Sequence, residues 1–251
     1  MNIVVCIKRV AATDSKIVIG SDGTSIDPAG VEFVVNPYDE FAVEDGLKTK
    51  EAAGGDASVT VITFGTNDAQ KELRTCLAMG ADKAVLLKSD GQNHDAHTTA
   101  EVLAGYIKTI PHDVVFCGKQ AVDNDNSQVP SRIAALLDLA CVTEVKSLAL
   151  EGGVFTAERD IEGGREIVRC PVPAVISTQK GLNEPRYASL KGIMTAKKKP
   201  LEEVEVQIPG PGISIQSLTL PPARQAGRIL ENGADDVGTL VDALRNEAKV
   251  L

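Results

Sequence analysis

Short β-branched runs alternate with longer segments of helical periodicity through roughly the first 140 residues of the chain. The candidate strands lie at 3–7, 58–64, 83–87 and 113–117. Between two of them, Ala69, Leu73 and Leu77 recur at four-residue spacing, and a similar apolar stripe runs through 99–107. Such stripes are typical of amphipathic helices. Strands separated by amphipathic helices form parallel sheets with right-handed crossovers, so the pattern predicts a doubly wound α/β fold.

The composition disfavours nucleic acid as a partner. Of the 251 residues 43% are hydrophobic, and there is no Trp, with only three Tyr and five Phe. Proteins that bind single strands rely on stacked aromatic side chains. The 26 Lys and Arg residues face 35 Asp and Glu, and the resulting formal charge of -9 is opposite to that of a phosphate-backbone binder. Backbone amides can still hold one small phosphate, so a nucleotide is not excluded.

The five cysteines are odd in number and widely spaced: Cys6, Cys76, Cys117, Cys141 and Cys170. They predict reduced, buried thiols. No two have CxxC spacing and the three histidines form no cluster with them, so we predict no metal site. A strand-like run begins at Ile3, and no apolar run approaches the ~20 residues that a membrane span needs. We therefore expect a cytoplasmic protein without membrane insertion.

The start of one helix is strongly marked. Asn36 is a residue suited to the N-cap and Pro37 is suited to the first helical position. Asp39, Glu40 and Glu44 follow, and they place negative charge near the positive end of the helix. The sequence therefore predicts a helix that begins at Pro37 with a side-chain cap from Asn36.

The pattern changes near residue 148. Gly-Gly pairs within 151–153 and 162–164 each separate two extended runs, as hairpin turns do. After residue 200 the chain is acidic and rich in proline, and it ends in a helical pattern near 235–248. We expect an α/β nucleotide-binding domain over 1–200, which includes the hairpins. The remaining 201–251 is expected to be a C-terminal arm packed on a partner, because it has no sheet-forming pattern of its own.

Ligands of open α/β sheets bind beyond the carboxyl ends of the strands. This rule nominates the chain at 6–7, 64–65 and 117–118, of which the last opens the polar segment 118–129. That segment joins a Gly, a Lys and several small polar residues to a helix with an apolar stripe. Amides at the start of this helix would suit a phosphate. An ordinary polar loop before a helix explains the segment equally well.

No sequence pattern of a catalytic site is present. The chain has no GxGxxG, P-loop, GxSxG or HExxH sequence. His94 and His97 could lie on one helical face, but a solvated helix start is the favoured interpretation. Asp123 and Asp125 are better explained as turn and cap residues than as an acid–base pair. We therefore predict neither catalytic residues nor an enzyme.

Two later segments are prominent. Residues 181–190 form a polar stretch that contains a Pro and ends in Tyr187, Ala188, Ser189 and Leu190, and three lysines follow at 197–199. These features fit a solvated surface loop. They also fit an anchor for another protein, since an exposed Leu beside a Tyr is typical of a docking site.

Together, several ordered segments resemble the β subunit of electron transfer flavoprotein over nearly the whole chain. The segments are Val4–Val10, Asn36–Glu40 with Ala42–Glu44, Leu77–Asp82, Gly118–Ala121 and Leu182–Leu190. The last is the most specific of them. The resemblance implies a Rossmann-like, adenine nucleotide α-hydrolase-like fold, with a mostly parallel sheet, a β-hairpin extension and a C-terminal arm.

The resemblance also implies a heterodimer in which the α subunit holds most of a shared FAD and the β subunit binds AMP. Phosphate would lie at Ser127 and Gln128, and the base near Cys6 and Asn36. By position, the AMP pocket comprises Cys6, Asn36, Pro37, Tyr38, Asp39, Phe64, Gly118, Lys119, Gln120, Ala121, Val122, Asp123, Asn124, Asp125, Asn126, Ser127, Gln128 and Val129.

Partner contacts follow from the same resemblance. Leu190, with Tyr187 beside it, matches the anchor in the recognition loop, here 182–199, that docks partner dehydrogenases. Asp160 matches an acidic residue that pairs with an Arg of the α subunit. Thr13 lies where some family members carry an aromatic residue near the flavin. The implied role is an electron carrier between acyl-CoA-type or other flavin dehydrogenases and a quinone-reducing oxidoreductase or another acceptor.

Two other functions compete with this one. In the bifurcating class the β subunit binds a second FAD in place of AMP and oxidises NADH. That class resembles Asp-Gly-Asp-Thr-Ala-Gln-Val-Gly-Pro at 123–131, where this chain has Asn124 and Pro130 in place of Gly. Residues larger than Gly leave less space for a diphosphate to approach the backbone, so AMP is favoured over a second FAD. A stand-alone nucleotide-binding stress-type domain is disfavoured, because it needs neither 182–190 nor the long tail.

Overall fold

The computed structural model describes residues 1–223 and 226–251, in two units, Met1–Leu218 and Thr219–Leu251. The strands of the larger unit are β1 (Asn2–Cys6), β2 (Arg9–Ala11), β3 (Phe33–Val35), β4 (Ser58–Gly65), β5 (Lys83–Lys88), β6 (Val114–Gly118), β7 (Ala140–Glu151), β8 (Val154–Ile161), β9 (Gly164–Pro171), β10 (Ala174–Thr178) and β11 (Leu201–Glu205). Its helices are α1 (Pro37–Ala53), α2 (Gln70–Met79), α3 (Ala96–Ile107), α4 (Val129–Leu137) and α5 (Leu190–Ala196). Within the described ranges, no helix is both long and apolar enough to cross a membrane.

Nine strands form one sheet in the order β11-β5-β4-β1-β6-β10-β7-β8-β9. The first seven are parallel, and β8 and β9 continue the sheet as antiparallel hairpins. The hairpins turn where the paired glycines predicted them. The predicted mostly parallel sheet with a hairpin extension is therefore confirmed. The short strands β2 and β3 pair separately, antiparallel to each other.

Helices cover both faces of this sheet. Val5 of β1 packs with Leu47 of α1 and Leu73 of α2 in one apolar cluster. Val4, whose side chain points to the opposite face, packs with Leu103 of α3 in a second cluster, which also includes residues of α4. The direction of winding changes at β1, with β4 on one side and β6 on the other. A crevice at the carboxyl ends of these strands follows from that topology.

The four predicted strands coincide with β1, β4, β5 and β6 to within one residue at each end. Strand β11 lies beyond the predicted boundary at residue 200. It pairs in parallel with β5, and the larger unit continues to Leu218. The acidic residues of β11 gave this segment no sheet-forming pattern in the sequence. They lie at the sheet edge, where Glu202 pairs with Lys83 at 2.6 Å and Glu205 pairs with Lys88 at 2.7 Å. Cross-strand charge pairs explain how so acidic a run can form a strand.

Two local expectations also need correction. Helix α1 does begin at Pro37, but the side chain of Asn36 makes no capping hydrogen bond. The carboxylates of Asp39 and Glu44 bind groups outside the helix, which are the N–H of Gly118 and the guanidinium of Arg186. Cys141 is exposed, whereas the other four thiols are buried and all five are free.

In the described part of the smaller unit, helix α6 (Val237–Asp242) lies near the predicted position. A 3₁₀ turn at Gly233–Asp236 precedes it and a π turn at Ala243–Glu247 follows it. The unit leaves several large apolar side chains exposed, which are Leu220, Ile229, Val237, Leu240, Val241, Val250 and Leu251. An exposed apolar set of this kind is typical of a surface that another protein covers.

Candidate functional site

A cleft lies at the carboxyl ends of β1 and β6, where the sheet topology places it. It encloses about 700 Å³ of empty space, including its open mouth. The ends of the two strands, the start of α3 and the loop between β6 and α4 form its walls. This is the position at which open α/β sheets bind their ligands.

Asp39 holds the floor of this cleft together. It lies in the first turn of α1, and its two carboxylate oxygens accept hydrogen bonds from the main-chain N–H of Lys8 at 2.7 Å and of Gly118 at 3.0 Å. The side chain is buried, and desolvation raises its pKa from 3.8 to about 7 despite these bonds. Asp39 thereby joins the chain after β1 to the end of β6.

Asn36 fixes the loop that follows β6. Its side-chain N–H donates to the carbonyl of Gln120 at 2.8 Å, and its side-chain oxygen accepts from the N–H of Val122 at 3.1 Å. The residue is 1% exposed. This role explains why Asn36 does not cap α1, although it occupies the residue before the helix.

The backbone at the start of α4 presents free amides beside the cleft. Among the residues that the structure describes, no acceptor binds the main-chain N–H groups of 126–129. Asp125 and Ser127 have φ values of 50° and 51°, in the left-handed region that non-glycine residues seldom adopt. Gln128, which follows Ser127, is in the helical region. A left-handed residue beside a helical one turns successive N–H groups towards one concave side, and such groups bind anions. Strained residues of this kind tend to occur at functional sites.

Side chains hold this loop in its strained conformation. The amide nitrogen of Gln120 donates to Asp125 at 2.6 Å, and the hydroxyl of Ser127 donates to the oxygen of the Gln120 amide at 3.2 Å. One glutamine thus bridges the two left-handed residues. These two hydrogen bonds hold the loop from within.

The two lysines of the cleft form ion pairs. Lys8 lies 2.6 Å from Asp123, and Lys119 lies 2.9 Å from Glu144. Both lysines line the cleft, whereas their carboxylate partners do not. The main positive potential at the start of α4 therefore comes from main-chain N–H groups and the helix dipole.

The apolar wall includes a side chain that the sequence interpretation placed elsewhere. His94 packs on Phe64 with 4.9 Å between ring centroids, and its Nε2 lies 2.8 Å from a carboxylate oxygen of Asp90. Asp95 caps α3 by accepting from the N–H of Thr98 at 2.8 Å. The predicted helix start is therefore correct, but His94 lines the cleft and is only partly exposed.

Most of the predicted pocket residues line this cleft. Five do not: Pro37, Tyr38, Val122, Asp123 and Asp125. Pro37 and Tyr38 belong to the first turn of α1, and the other three belong to the loop after β6. The predicted range 118–129 is continuous in sequence, whereas only some of its residues line the cleft. The lining residues that the prediction missed are Ile7, Lys8, His94, Ala96, Thr99, Leu103, Cys117 and Pro130. The strand-end rule did indicate Ile7 and Cys117, whereas no sequence signal placed the start of α3 beside β4.

The 182–199 segment presents apolar side chains on the surface. Tyr187 is 98% exposed and Leu190, the first residue of α5, is 83% exposed. The segment is nevertheless attached firmly, because Arg186 donates from Nε and Nη2 to the buried carboxylate of Glu44 at 2.8 and 2.9 Å. Asn183 donates to the carbonyl of Phe41 at 2.9 Å. The two exposed side chains therefore project from a fixed base.

Asp160 lies on β8, away from the cleft. Its carboxylate binds the ammonium of Lys146 and lies 3.7 Å from Arg165. These ion pairs lower the pKa of Asp160, mainly through the hydrogen bond from Lys146. The side chain is half-exposed and ionised, and it is available at the hairpin surface.

Comparison with known proteins matches residues 24–209 to the Electron transfer flavoprotein domain family. The chain belongs to the electron transfer flavoprotein β-subunit family. The electron transfer flavoprotein subunit beta of Bacillus subtilis is 41% identical, with both chains covered in full. The corresponding proteins of Bradyrhizobium diazoefficiens and, as a mitochondrial protein, Arabidopsis thaliana are 38% and 36% identical, again over the full length of both chains.

Membership of this family makes the chain a component of an electron carrier, with an α subunit as its partner. The names of the family and of these relatives describe a flavoprotein. In the described part of the chain, no group of three or more His, Cys, Asp or Glu residues could hold a metal ion.

Gly118 leaves no space for a side chain. A Cβ atom there would lie 2.2 Å from an oxygen of Asp39 and 2.7 Å from the carbonyl carbon of Tyr38. We expect Gly118→Ala to lower the free energy of unfolding by about 1–3 kcal/mol, because backbone must move to relieve the overlap. Denaturant titration measures this. Gly105→Ala is the matched control, since nothing lies within 4 Å of its Cβ position in α3. A loss as small in Gly118→Ala as in Gly105→Ala would contradict the close packing.

Proposed function

We propose that this β subunit holds one AMP in the cleft as a structural nucleotide, while the α subunit holds most of the FAD through which electrons pass. The chain contributes the nucleotide site, a docking surface and a platform for the partner subunit. The flavin supplies the electron chemistry. None of these roles requires a group that makes or breaks bonds in this chain.

The free amides at 126–129 carry this proposal. A phosphate monoester is a compact dianion, and N–H groups at a helix start are suited to it. Ser127 and Gln128 lie at that position and line the cleft. The hydroxyl of Ser127 can turn to a ligand, because hydroxyl groups both donate and accept. The residues present therefore fit the phosphate of AMP.

The rest of the cleft fits an adenosine. Cys6, Phe64 and Leu103 provide an apolar wall. Asn36 and Asp39 line the floor, with main-chain groups of the strand ends beside them. A cleft with apolar walls and a few fixed polar groups is typical of a nucleotide site.

Pro130 favours AMP over a second FAD. It lines the cleft in the first turn of α4. Proline has no N–H, so this position offers no donor to a second phosphate, and its ring occupies space that a glycine would leave free. A diphosphate therefore finds less room and fewer donors here than a monophosphate does.

Thermal unfolding of the nucleotide-depleted heterodimer tests the phosphate site. AMP at one hundred times its dissociation constant stabilises the folded protein by about 2.7 kcal/mol. Adenosine at the same concentration should stabilise it far less, because it cannot use the amides at 126–129. Equal stabilisation by adenosine and AMP would refute the role of those amides.

The exposed pair in the 182–199 segment is proposed to dock the partner dehydrogenase. Tyr187 and Leu190 lie on the surface as an aromatic and an aliphatic side chain with no apolar cover in the described chain. Large apolar side chains of this kind act as anchors when they enter a pocket of a partner. Electron donors would be acyl-CoA-type or other flavin dehydrogenases, and a quinone-reducing oxidoreductase would be an acceptor.

Replacement of the anchor should affect docking alone. We expect Leu190→Ala to leave flavin and AMP content unchanged while it weakens docking of an acyl-CoA dehydrogenase by about 2 kcal/mol, roughly 30-fold in the dissociation constant. The steady-state kcat/KM for the dehydrogenase measures this. Ile167→Ala, at another exposed apolar residue on β9, is the control. Equal kcat/KM values for the two variants would remove the anchor role.

Two contacts with the α subunit complete the proposal. Asp160 would exchange its present partners Lys146 and Arg165 for an Arg of the α subunit, since a guanidinium can bind a carboxylate through two hydrogen bonds. The C-terminal arm would pack on the α subunit. Because β11 belongs to the sheet, this arm is proposed to begin at Thr219. The exposed apolar residues of the smaller unit suit such a contact.

A further inference from the structure

Helix α5 has little packing of its own. It comprises seven residues, Leu190–Ala196, and only Ala196 is buried. Isolated helices of this length are unstable in water, because too few hydrogen bonds offset the cost of the first turn. Apolar burial cannot fix its position either. Other contacts must therefore hold the helix that carries Leu190.

Two cations bind α5 to α2 in a reciprocal manner. Arg74 of α2 donates from Nη1 to the carbonyls of Ala196 at 2.7 Å and of Lys199 at 2.8 Å. Lys199 donates from Nζ to the carbonyls of Leu77 at 3.0 Å and of Ala81 at 2.6 Å. Each cation thus binds carbonyls at or just beyond the carboxyl end of the opposite helix, and such ends carry unpaired carbonyls and negative potential. We call Arg74 and Lys199 the helix clasp.

The clasp cations are dedicated to this contact. Within the described residues, neither Arg74 nor Lys199 forms an ion pair with a carboxylate. Lys199 is partly buried, and desolvation lowers the pKa of its ammonium. A cation that loses hydration without a carboxylate partner depends on its hydrogen bonds to carbonyls.

Close backbone contact adds to the clasp. A Cβ atom on Gly192 would lie 2.3 Å from the carbonyl oxygen of Ala78, so α5 approaches the end of α2 as only glycine permits. Ser189 caps α5 by accepting from the N–H of Gly192 at 3.0 Å. The helix therefore has one fixed position on α2.

We infer that Arg74 and Lys199 are positioning residues for docking: they hold α5 so that Leu190 is already oriented when the partner dehydrogenase arrives. This inference rests on the proposed docking role of Leu190. Neither cation has to touch the partner. Preorganisation of an anchor lowers the entropy lost on binding, so its loss weakens docking without removing the anchor.

The test uses the intact heterodimer with Arg74→Met, which keeps a long side chain but removes the donors. Lys71→Met is the control, because Lys71 is an exposed cation on the same helix. Hydrogen exchange should become faster in α5 of Arg74→Met and remain unchanged in β1 and β6. The dissociation constant for an acyl-CoA dehydrogenase should rise about three- to tenfold. Reduction by dithionite, which needs no docking, should keep its rate.

A double-mutant cycle separates positioning from a general loss of stability. If Arg74 acts through Leu190, adding Arg74→Met to Leu190→Ala should change the dissociation constant by less than about twofold. Arg74→Lys should restore docking, since an ammonium can also donate to both carbonyls.

The outcomes are distinct. Weak docking by Leu190→Ala with normal docking by Arg74→Met overturns the inference and leaves the proposed function intact. Additive effects in the double variant also overturn it. Normal docking by Leu190→Ala overturns the docking role itself, and the inference with it. Impaired docking by Arg74→Met, rescue by Arg74→Lys and non-additivity with Leu190→Ala together support it.

Discussion

Arg186→Met is expected to destabilise the protein by about 3 kcal/mol, because it leaves the carboxylate of Glu44 buried without a counter-charge. The Glu44 side chain is 3% exposed and receives two side-chain hydrogen bonds from Arg186. The guanidinium also binds the exposed Glu51 at 2.6 Å. Guanidinium chloride unfolding of wild type and variant measures the loss.

Two further variants show which part of this cluster matters. Glu51→Gln should change stability by less than about 1 kcal/mol, because the Glu51 side chain is 59% exposed and solvent weakens the pair. Glu44→Gln in the Arg186→Met background should recover part of the loss, since it removes the buried charge. A larger loss from Glu51→Gln than from Arg186→Met would contradict the assignment of Glu44 as the buried partner.

Asp39 should make the protein less stable as the pH rises from about 4 to 7. Burial raises the pKa of its carboxyl from 3.8 to about 7, so the folded state retains a proton that the unfolded state releases in this range. The free energy of unfolding decreases with rising pH wherever the folded state binds more protons than the unfolded state does. The pKa difference corresponds to about 4 kcal/mol, reached at a slope of up to about 1.4 kcal/mol per pH unit.

Asp39→Asn is the variant that isolates this effect. Asp45 also has a pKa raised by burial, to about 6, so the wild-type slope alone does not identify Asp39. The difference in unfolding free energy between wild type and Asp39→Asn, followed from pH 4 to 7, removes the contribution of Asp45. The variant is expected to be less stable at pH 4, because an amide group cannot accept from both N–H groups, and to have the shallower slope. Parallel curves for the two proteins would contradict the raised pKa of Asp39.

Much of the fold was predictable, because apolar periodicity reports directly which face of a strand or helix is buried. The strands β1, β4, β5 and β6 and the helices between them are of this kind. Strand β11 was not predictable by periodicity, because its Glu residues are stabilised by lysines of β5 that are more than one hundred residues away in sequence. Local pattern cannot report a partner at that distance.

The candidate site was predictable to the same extent. The position of the cleft could be predicted from the ends of the strands. The role of Asn36 could not, because its hydrogen-bond partners at 120–122 are distant in sequence and lie beside it only in the folded chain. The pairing of Glu44 with Arg186 has the same explanation, and it joins two of the segments on which the family resemblance rested. Those segments had no evident relation in the sequence. The structure relates them as helix α1 and the base of the docking surface.

The nucleotide content of the purified heterodimer tests the central claim most directly. Denaturation of the heterodimer, followed by chromatographic quantitation of the released nucleotides, should give one AMP and one FAD for each pair of subunits. Two FAD without AMP would contradict the proposed AMP site and identify the cleft as the site of a second flavin.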